Sequence, residues 1–375
     1  MANANQVALG RSNLSTGTGY GGATDKYALY LKLFSGEMFK GFQHETIARD
    51  LVTKRTLRNG KSLQFVYTGR MSSSFHTPGT PILGNSDKAP PVAEKTIVMD
   101  DLLISSAFVY DLDETLAHYE LRGEISKKIG YALAEKYDRL IFRSITRGAR
   151  SASPVSATNF VEPGGTQIRV GSTTNDSDAY NATNLVNAFY DAAAALDEKG
   201  VSTDGRCAVL NPRQYYSLIQ NVGSNGLVNR DVQGDALQGG SGVIEIAGIH
   251  IYKSMNIPFL GKYGVAYGGT TGEVSPGNLG SFIGPTPENA NATGGVNNDY
   301  GTNTELGAKS CGLIFQKEAA CVVEAIGPQV QVTNGDVSVI YQGDVILGRM
   351  AMGADYLNPA AAVELYVGTS APSAF

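Results

Sequence analysis

Residues 113–147 read DETLAHYELRGEISKKIGYALAEKYDRLIFRSITR, and this stretch decides the fold. Apolar side chains fall at Leu116, Tyr119, Ile125, Ile129, Leu133, Tyr137, Leu140, Ile141 and Ile145. The steps are mostly three or four, the period of an α-helix with one buried stripe. Asp111 or Asp113 supplies an N-cap, and Gly148 a left-handed stop after Arg147. At about 1.5 Å per residue the helix is roughly 50 Å long, well beyond the usual length. It reads as a structural spine, with Gly123 and Gly130 as places for a bend.

Upstream, the pattern changes twice. Residues 1–22 are polar and glycine-rich and read as a flexible arm. Residues 25–42 follow as an amphipathic helix, with Leu29, Leu33 and Phe34 on one face and Gly36 as an interruption. Strand-like pieces at 64–67 and 96–99 flank MSSSFHTPGTPILGNSDKAPP, which is rich in proline, glycine and serine. A gap of roughly thirty residues between strands is far above ordinary loop length, so a projecting hairpin is expected. It is expected to be ordered by neighbouring subunits rather than by its own, since its tip has few large apolar side chains to offset the entropy of ordering.

Downstream of the spine, 151–178 is polar. Residues 184–199 read as a helix with Leu185, Phe189 and Leu196 on one side and Gly200 as its stop. A short buried strand at 207–210 precedes a second helix that starts at Asn211-Pro212. Strands are expected at 244–257, 311–315, 320–325, 337–341, 345–347 and 362–367. The glycine-rich stretches 223–242 and 268–309 read as loops.

Composition constrains the class. Hydrophobic residues make up 42%, too many for a disordered chain, while charged residues are only 17%, against a usual share of about 25%. So little charge on a chain of 375 residues means an exposed face of Ser, Thr, Asn and Gly, or a surface largely covered by other protein. The net charge of −5 is uneven: residues 1–150 carry 20 Lys+Arg against 15 Asp+Glu, and 151–375 carry 10 against 20. Its sign argues against a dedicated nucleic-acid binder. No apolar run reaches the length of a membrane-spanning helix, and 1–13 lacks the apolar core of a signal peptide.

Catalytic templates fail on named residues. Gly60-Lys61-Ser62 ends like a phosphate loop, but Arg55 stands where the first glycine belongs, so Asn59-Gly60 is expected to be a hairpin turn. Gly17–Gly22 echoes a dinucleotide fingerprint without a strand before it. His44, His76, His118 and His250 have no metal spacing. Asp111, Asp113 and Glu114 suit capping of the spine better than acid–base chemistry. Cys207, Cys311 and Cys321 form no CxxC, and Cys311 and Cys321, which flank apolar strands, read as inert core thiols. The sequence therefore predicts no enzyme, no metal and no cofactor.

Four stretches resemble the major capsid proteins of tailed double-stranded DNA bacteriophages, in particular the short-tailed podovirus group that infects enteric bacteria and cyanobacteria. They are Asp25-Lys26-x-Ala28-Leu29-x-Leu31-Lys32-x-Phe34-x-Gly36-Glu37; Gly60-Lys61-Ser62-x-Gln64-Phe65 with Gly69-Arg70 and Pro78-Gly79; Asp100-x-Leu102-Leu103 with Tyr110-Asp111, His118-Tyr119, Arg122, Glu124, Gly130, Leu133-Ala134 and Asp138; and Ala351-Met352-Gly353 with Leu357 and Pro359. The resemblance covers most of the chain and is weakest over 150–310.

What it implies is an α+β protein with the tailed-phage capsid fold. The expected parts are an N-terminal arm (1–50), an extended hairpin loop (51–110), a peripheral domain with the spine helix (111–183), an axial α/β domain (184–325) and return strands to the peripheral domain (326–375). The resemblance further implies self-assembly as pentamers and hexamers into an icosahedral shell, with maturation from a precursor. The expected partners are many copies of itself, a scaffolding protein, a portal at one vertex and double-stranded DNA held with little specific contact, with no membrane. Assembly in the host bacterial cytoplasm and residence in the virion capsid follow. Candidate inter-subunit residues are Lys61, Arg70, Phe75, Ile82 and Leu83 in the loop and Leu29, Leu33 and Phe34 in the arm. Lys61 and Lys88 lie in the loop region, but covalent cross-linking is not expected of this group. A hydrolytic enzyme and a fibre or adhesin are the other classes; the first lacks a nameable nucleophile or carboxylate pair, the second lacks repeats.

Overall fold

The computed structural model describes residues 47–68, 70, 73, 75–79, 92–99, 102–110, 121–157, 160–171, 176–220, 244–254, 256–257, 310–332, 340, 342–368 and 371–372. The chain divides into two units, each assembled from separate segments. One comprises 1–44, 101–135 and 325–352; the other comprises 45–100, 136–324 and 353–375.

In chain order the described elements begin with a helical turn, Ala48–Leu51 (α1), then β1 (Thr53–Thr56), β2 (Ser62–Thr68), β3 (Val92–Val98) and β4 (Leu103–Tyr110). The long helix α2 spans Leu121–Ala149, followed by β5 (Ser156–Ala157), β6 (Phe160–Val161) and β7 (Thr166–Arg169). Next come α3 (Ala182–Glu198), β8 (Arg206–Leu210), α4 (Pro212–Gln220), β9 (Ile244–Ile246) and β10 (Ile249–Lys253). The last strands are β11 (Ser310–Gln316), β12 (Ala320–Val332), β13 (Gly343–Tyr356) and β14 (Ala362–Tyr366).

The spine is present as a helix of 29 described residues, about 43 Å at 1.5 Å per residue. The expected stripe is buried at Ile129, Leu133, Tyr137, Leu140, Ile141 and Ile145. Its expected beginning, 113–120, and the Asp111 and Asp113 caps lie outside the described residues. From Tyr137 onward burial extends around the helix and takes in Asp138, Arg139, Phe142, Ser144 and Thr146. The Ser144 and Thr146 hydroxyls donate to the carbonyls of Leu140 and Phe142, each at 2.9 Å, which is how buried hydroxyls are satisfied inside a helix.

Gly148 does not stop the helix. It is helical itself, and the helix runs to Ala149. A Cβ at Gly148 would lie 2.8 Å from the Cβ of Tyr356 and 3.6 Å from that of Ala362, so glycine is there for close approach to strand residues. The sequence signal was the same; the physical reason is packing rather than backbone conformation.

The second unit holds a six-stranded sheet in the order β7–β14–β11–β8–β10–β9. β7 runs parallel to β14 and β8 parallel to β10; the other pairs are antiparallel. Every residue of β8 and of β11 is buried, as continuous apolar runs in central strands require. α3 covers the sheet with Leu185, Phe189 and Leu196, and α4 with Tyr215 and Leu218. Both helices start on asparagine: the Asn181 side chain accepts from the Thr183 amide at 3.0 Å. At Asn211 the amide donates to Oε1 of Gln214 at 3.1 Å, with Pro212 at the first helical position.

In the first unit, Gly343–Met350 of β13 pair antiparallel with Leu103–Tyr110 of β4. Leu133 of the spine lies against this strand at Gly348, where a Cβ would come within 2.9 Å of Leu133 and 2.4 Å of Ile129. β12 is hydrogen-bonded to β13. In the second unit, residues 321–324 of β12 pair, parallel, with β1, Thr53 facing Cys321 through Thr56 facing Glu324. β12 and β13 are far longer than the expected 320–325 and 345–347, while nearly all of the expected strand at 337–341 lies outside the described residues.

Asn59-Gly60 is not a hairpin turn. Gly60 does take φ +98°, but the strands on either side belong to different sheets: β1 pairs with β12, and β2 with β3. The turn moves the chain from one sheet to the other.

Candidate assembly surfaces

The expected hairpin exists. β2 and β3 pair antiparallel over seven rungs, from Ser62 opposite Val98 to Thr68 opposite Val92, with Gln64 opposite Thr96. Alternation gives the ribbon two different faces. On one, Leu63 and Phe65 join Met99 and Leu357 against a buried cluster of Leu57, Ile97, Cys321 and Val323. Lys95 completes this face, its ammonium 2.7 Å from Asp355 and 3.5 Å above the Tyr356 ring. Burial first, then the nearby Tyr356 and Asp355, push the Tyr67 phenol upward.

The stem is therefore held by its own chain, which corrects the expectation that the whole hairpin depends on neighbours. Seven rungs present enough inward apolar surface to anchor the stem at home. Most of the tip, 80–91, lies outside the described residues.

The opposite face carries exposed apolar side chains among the described residues. Val66 is 66% exposed, Val92 61% and Val98 50%. Beyond the stem, Phe75 is fully exposed. Lys61 is exposed at the ribbon's start, and its carbonyl accepts from the Met99 amide at 2.8 Å. Arg70 meets its own chain: Nη2 donates to the Lys199 carbonyl, and Nε lies 3.5 Å from Glu162. Ile82, Leu83, Leu29, Leu33 and Phe34 lie outside the described residues.

A second group of polar contacts gathers around residues 47–54. Asp138 of α2 accepts from the backbone amides of Ile47 and Ala48 at 3.0 and 3.2 Å and from the Asn256 side-chain Nδ2 at 3.4 Å. Beside it, the Glu324 carboxylate gathers Tyr137 Oη at 2.8 Å, Lys54 Nζ at 3.0 Å, and Arg49 through Nε at 3.3 Å and Nη2 at 3.2 Å. Burial alone would raise the Glu324 carboxyl, but the bonds from Tyr137, Lys54 and Arg49 outweigh it and hold the group below its usual range. Burial and the bond to Glu324 push the Tyr137 phenol up. Sequence reading missed this network. Glu324 ends the apolar run ACVVE, and a carboxylate at the close of a buried strand was the available signal.

A third polar group is deeper. Arg150 and Glu364 form a bidentate pair at 2.6 and 2.8 Å with side chains 1% and 0% exposed, and Gln167 donates to the same carboxylate at 2.9 Å. Arg150 follows the spine helix, Gln167 lies in β7 and Glu364 in β14, so the geometry fastens a helix end to two strands. The buried thiols of Cys207 and Cys321 are pushed up by burial to about 12 and about 11, which makes them poor nucleophiles at neutral pH. Among the described residues no helix is long and apolar enough to cross a membrane.

Comparison with known proteins places this architecture. A family model described as Gp10A-like, major capsid protein, matches residues 64–366. The major capsid protein of Escherichia phage T7 is 28% identical over 274 residues, covering 70% of this chain and 76% of that protein. The capsid structure of the cyanophage P-SCSP1u is similar with a TM-score of 0.69 at 33% identity, covering 95% of this chain and 97% of that one. The mature capsid of bacteriophage PhiM1 shares the fold, with a TM-score of 0.65 at 13% identity over 90% of this chain and 92% of that one.

Proposed function

The chain belongs to the Gp10A-like family of major capsid proteins, and from that premise we propose how its parts build a shell. Its role is structural: many copies form the phage head, and it resides in the virion capsid. The shell is icosahedral, made of pentamers and hexamers, and encloses double-stranded DNA. Assembly in the host bacterial cytoplasm uses a scaffolding protein and a portal at one vertex, and the precursor then matures.

The division of labour follows the sequence reading: arm 1–50, extended loop 51–110, peripheral domain 111–183, axial domain 184–325, and return strands 326–375. The observation that carries this reading is the two-faced ribbon. One face of β2–β3 is fastened to its own chain, while Val66, Val92 and Val98 on the other are left to water in an isolated subunit. Burying that face and Phe75 against an adjacent subunit removes apolar surface from water at about 25 cal/mol per Å². Lys61 and the tip residues Ile82 and Leu83 extend the same contact; Leu29, Leu33 and Phe34 serve the arm. Excess negative charge in 151–375 keeps packaged DNA from adhering to the wall, because phosphate affinity depends on cationic contacts.

The test is assembly of purified protein, viewed by negative-stain microscopy beside limited proteolysis. Closed shells are expected, with bonds between Met71 and Pro91, beyond the paired stem, cut quickly in unassembled subunits and resistant in shells. Equal cutting in both states removes the clasping role of the loop.

A further inference from the structure

Arg70 is the first described residue beyond the last rung of the ribbon, Thr68 opposite Val92. The helix end it meets is built to receive a cation. α3 closes with the Val201 amide donating to the Leu196 carbonyl at 3.0 Å and the Gly200 amide to the Asp197 carbonyl at 2.8 Å. Gly200 takes φ +67°, so this is a glycine-closed helix end of the Schellman kind. It leaves the Lys199 carbonyl free of the helix ladder, at the negative end of the helix dipole. The Arg70 guanidinium donates to that carbonyl. Its nitrogens lie 3.6 and 3.7 Å from where a Cβ at Gly200 would stand, so they rest in ordinary contact against the glycine.

The same end gathers its own surroundings. The Lys199 ammonium turns back to the Gly164 carbonyl at 2.5 Å and to the Thr166 hydroxyl. That ties the stretch carrying Glu162, the second partner of Arg70, to the helix terminus. Arg206 closes the remaining side, with Nη2 2.6 Å from the Val201 carbonyl and 2.7 Å from Asp197. Arg70 is the one of these three cations that arrives from the ribbon.

We propose that Arg70 is a clasp: it fastens the base of the loop after β2 to the C-terminal end of α3 in its own subunit, and so sets the direction in which the loop departs before any neighbour is met. The consequence for the shell rests on the loop reading proposed above; the clasp itself does not. Arg70 is thus a positioning residue, and its exposed ion pair with Glu162 is the weaker of its two ties, because water and salt screen it.

Hydrogen exchange on the unassembled full-length chain tests this, comparing the native protein with Arg70→Ala, Arg70→Lys and Glu162→Gln. Amides of residues 70–79 are expected to exchange about fivefold faster in Arg70→Ala, in keeping with the loss of one cation at a helix C-terminus. Arg70→Lys, with a point charge that cannot span both partners, gives an intermediate rise, and Glu162→Gln a smaller one. Exchange in β8 and β11 stays unchanged in all three. Native-like exchange at 70–79 in Arg70→Ala overturns the clasp. Should that variant fail to fold, equal exchange in native protein, Arg70→Lys and Glu162→Gln overturns it instead. Faster exchange with uniform, normal shells upholds the clasp and overturns only the shell consequence.

Discussion

Two sheets in the second unit solve opposite problems. In the six-stranded sheet, β8 and β11 are buried on both faces, and their inner stretches CAVL and CGLIF read as runs without a charged or polar side chain. In the β2–β3 ribbon, SLQFVYT alternates, with one set of side chains anchored and the other exposed. The first sheet has its packing partners within the chain, whereas the second keeps one face in reserve. Those three exposed valines form the face proposed above for contact with another subunit.

Substitutions should separate the two sheets by size of effect. Phe315→Ala, a fully buried residue near the end of β11, is expected to cost about 3–5 kcal/mol, seen as a lower urea midpoint at unchanged slope. A loss below about 1 kcal/mol would mean that the central strand is not the core of its lobe. Arg150→Met, which leaves the Glu364 carboxylate buried beside Gln167 without its cation, should cost a similar amount, about 3–5 kcal/mol. Replacing both partners by apolar residues of matched volume should recover much of that loss.

Gly148→Ala sharpens the reading of the spine, because the sign of its effect decides. An exposed glycine inside a helix gains stability on becoming alanine, by about 1 kcal/mol. With Tyr356 Cβ only 2.8 Å from the new methyl, the opposite is expected, a loss of about 1–3 kcal/mol by thermal unfolding.

Acid should act through Glu324. Its carboxyl titrates lower in the folded chain than its ordinary 4.5, so its contribution is present above that value and disappears as the pH falls through the folded one. Urea midpoints measured from pH 7 down to pH 3 should fall less steeply in Glu324→Gln than in the native chain. Parallel curves would remove Glu324 from the acid response.

The smallest stability effect belongs to the ribbon's bare face. Val66→Thr should change the urea midpoint by no more than about 0.5 kcal/mol while lowering the yield of shells. Unaltered shell yield would return that face to ordinary surface.

Much of this architecture was legible because local patterns and tertiary burial agreed. The stripe from Ile129 to Ile145, the α3 face Leu185–Phe189–Leu196 and the apolar runs of β8 and β11 all occupy the places that their periods demand. The long strand β13 was misread because Gly343, Gly348 and Gly353 look like breaks. Each instead admits a close neighbour, with a Cβ meeting Val109 O at 2.4 Å, Ile129 at 2.4 Å or Val98 O at 2.2 Å. β1, TKRT, is polar and was invisible because its identity as a strand comes from parallel pairing with residues 321–324, far away in sequence. The Glu324 network was hidden for the same reason: Arg49, Lys54 and Tyr137 meet the carboxylate only after the fold forms. Of the candidate contact residues, Phe75 stands fully exposed, whereas Arg70 was found bonded at home. Long-range polar meetings leave no local period to read.

The position of β14 carries a consequence for synthesis. Residues 362–366 lie between β7 and β11, so the six-stranded sheet cannot close until that stretch has left the ribosome. Until then β7 lacks its partner, and Arg150 awaits Glu364. A nascent or truncated chain therefore cannot present a finished lobe, however complete its spine and ribbon are. Order of manufacture is thus expected to act as an inspection step, in which chains that stop before β14 fail to enter the lattice.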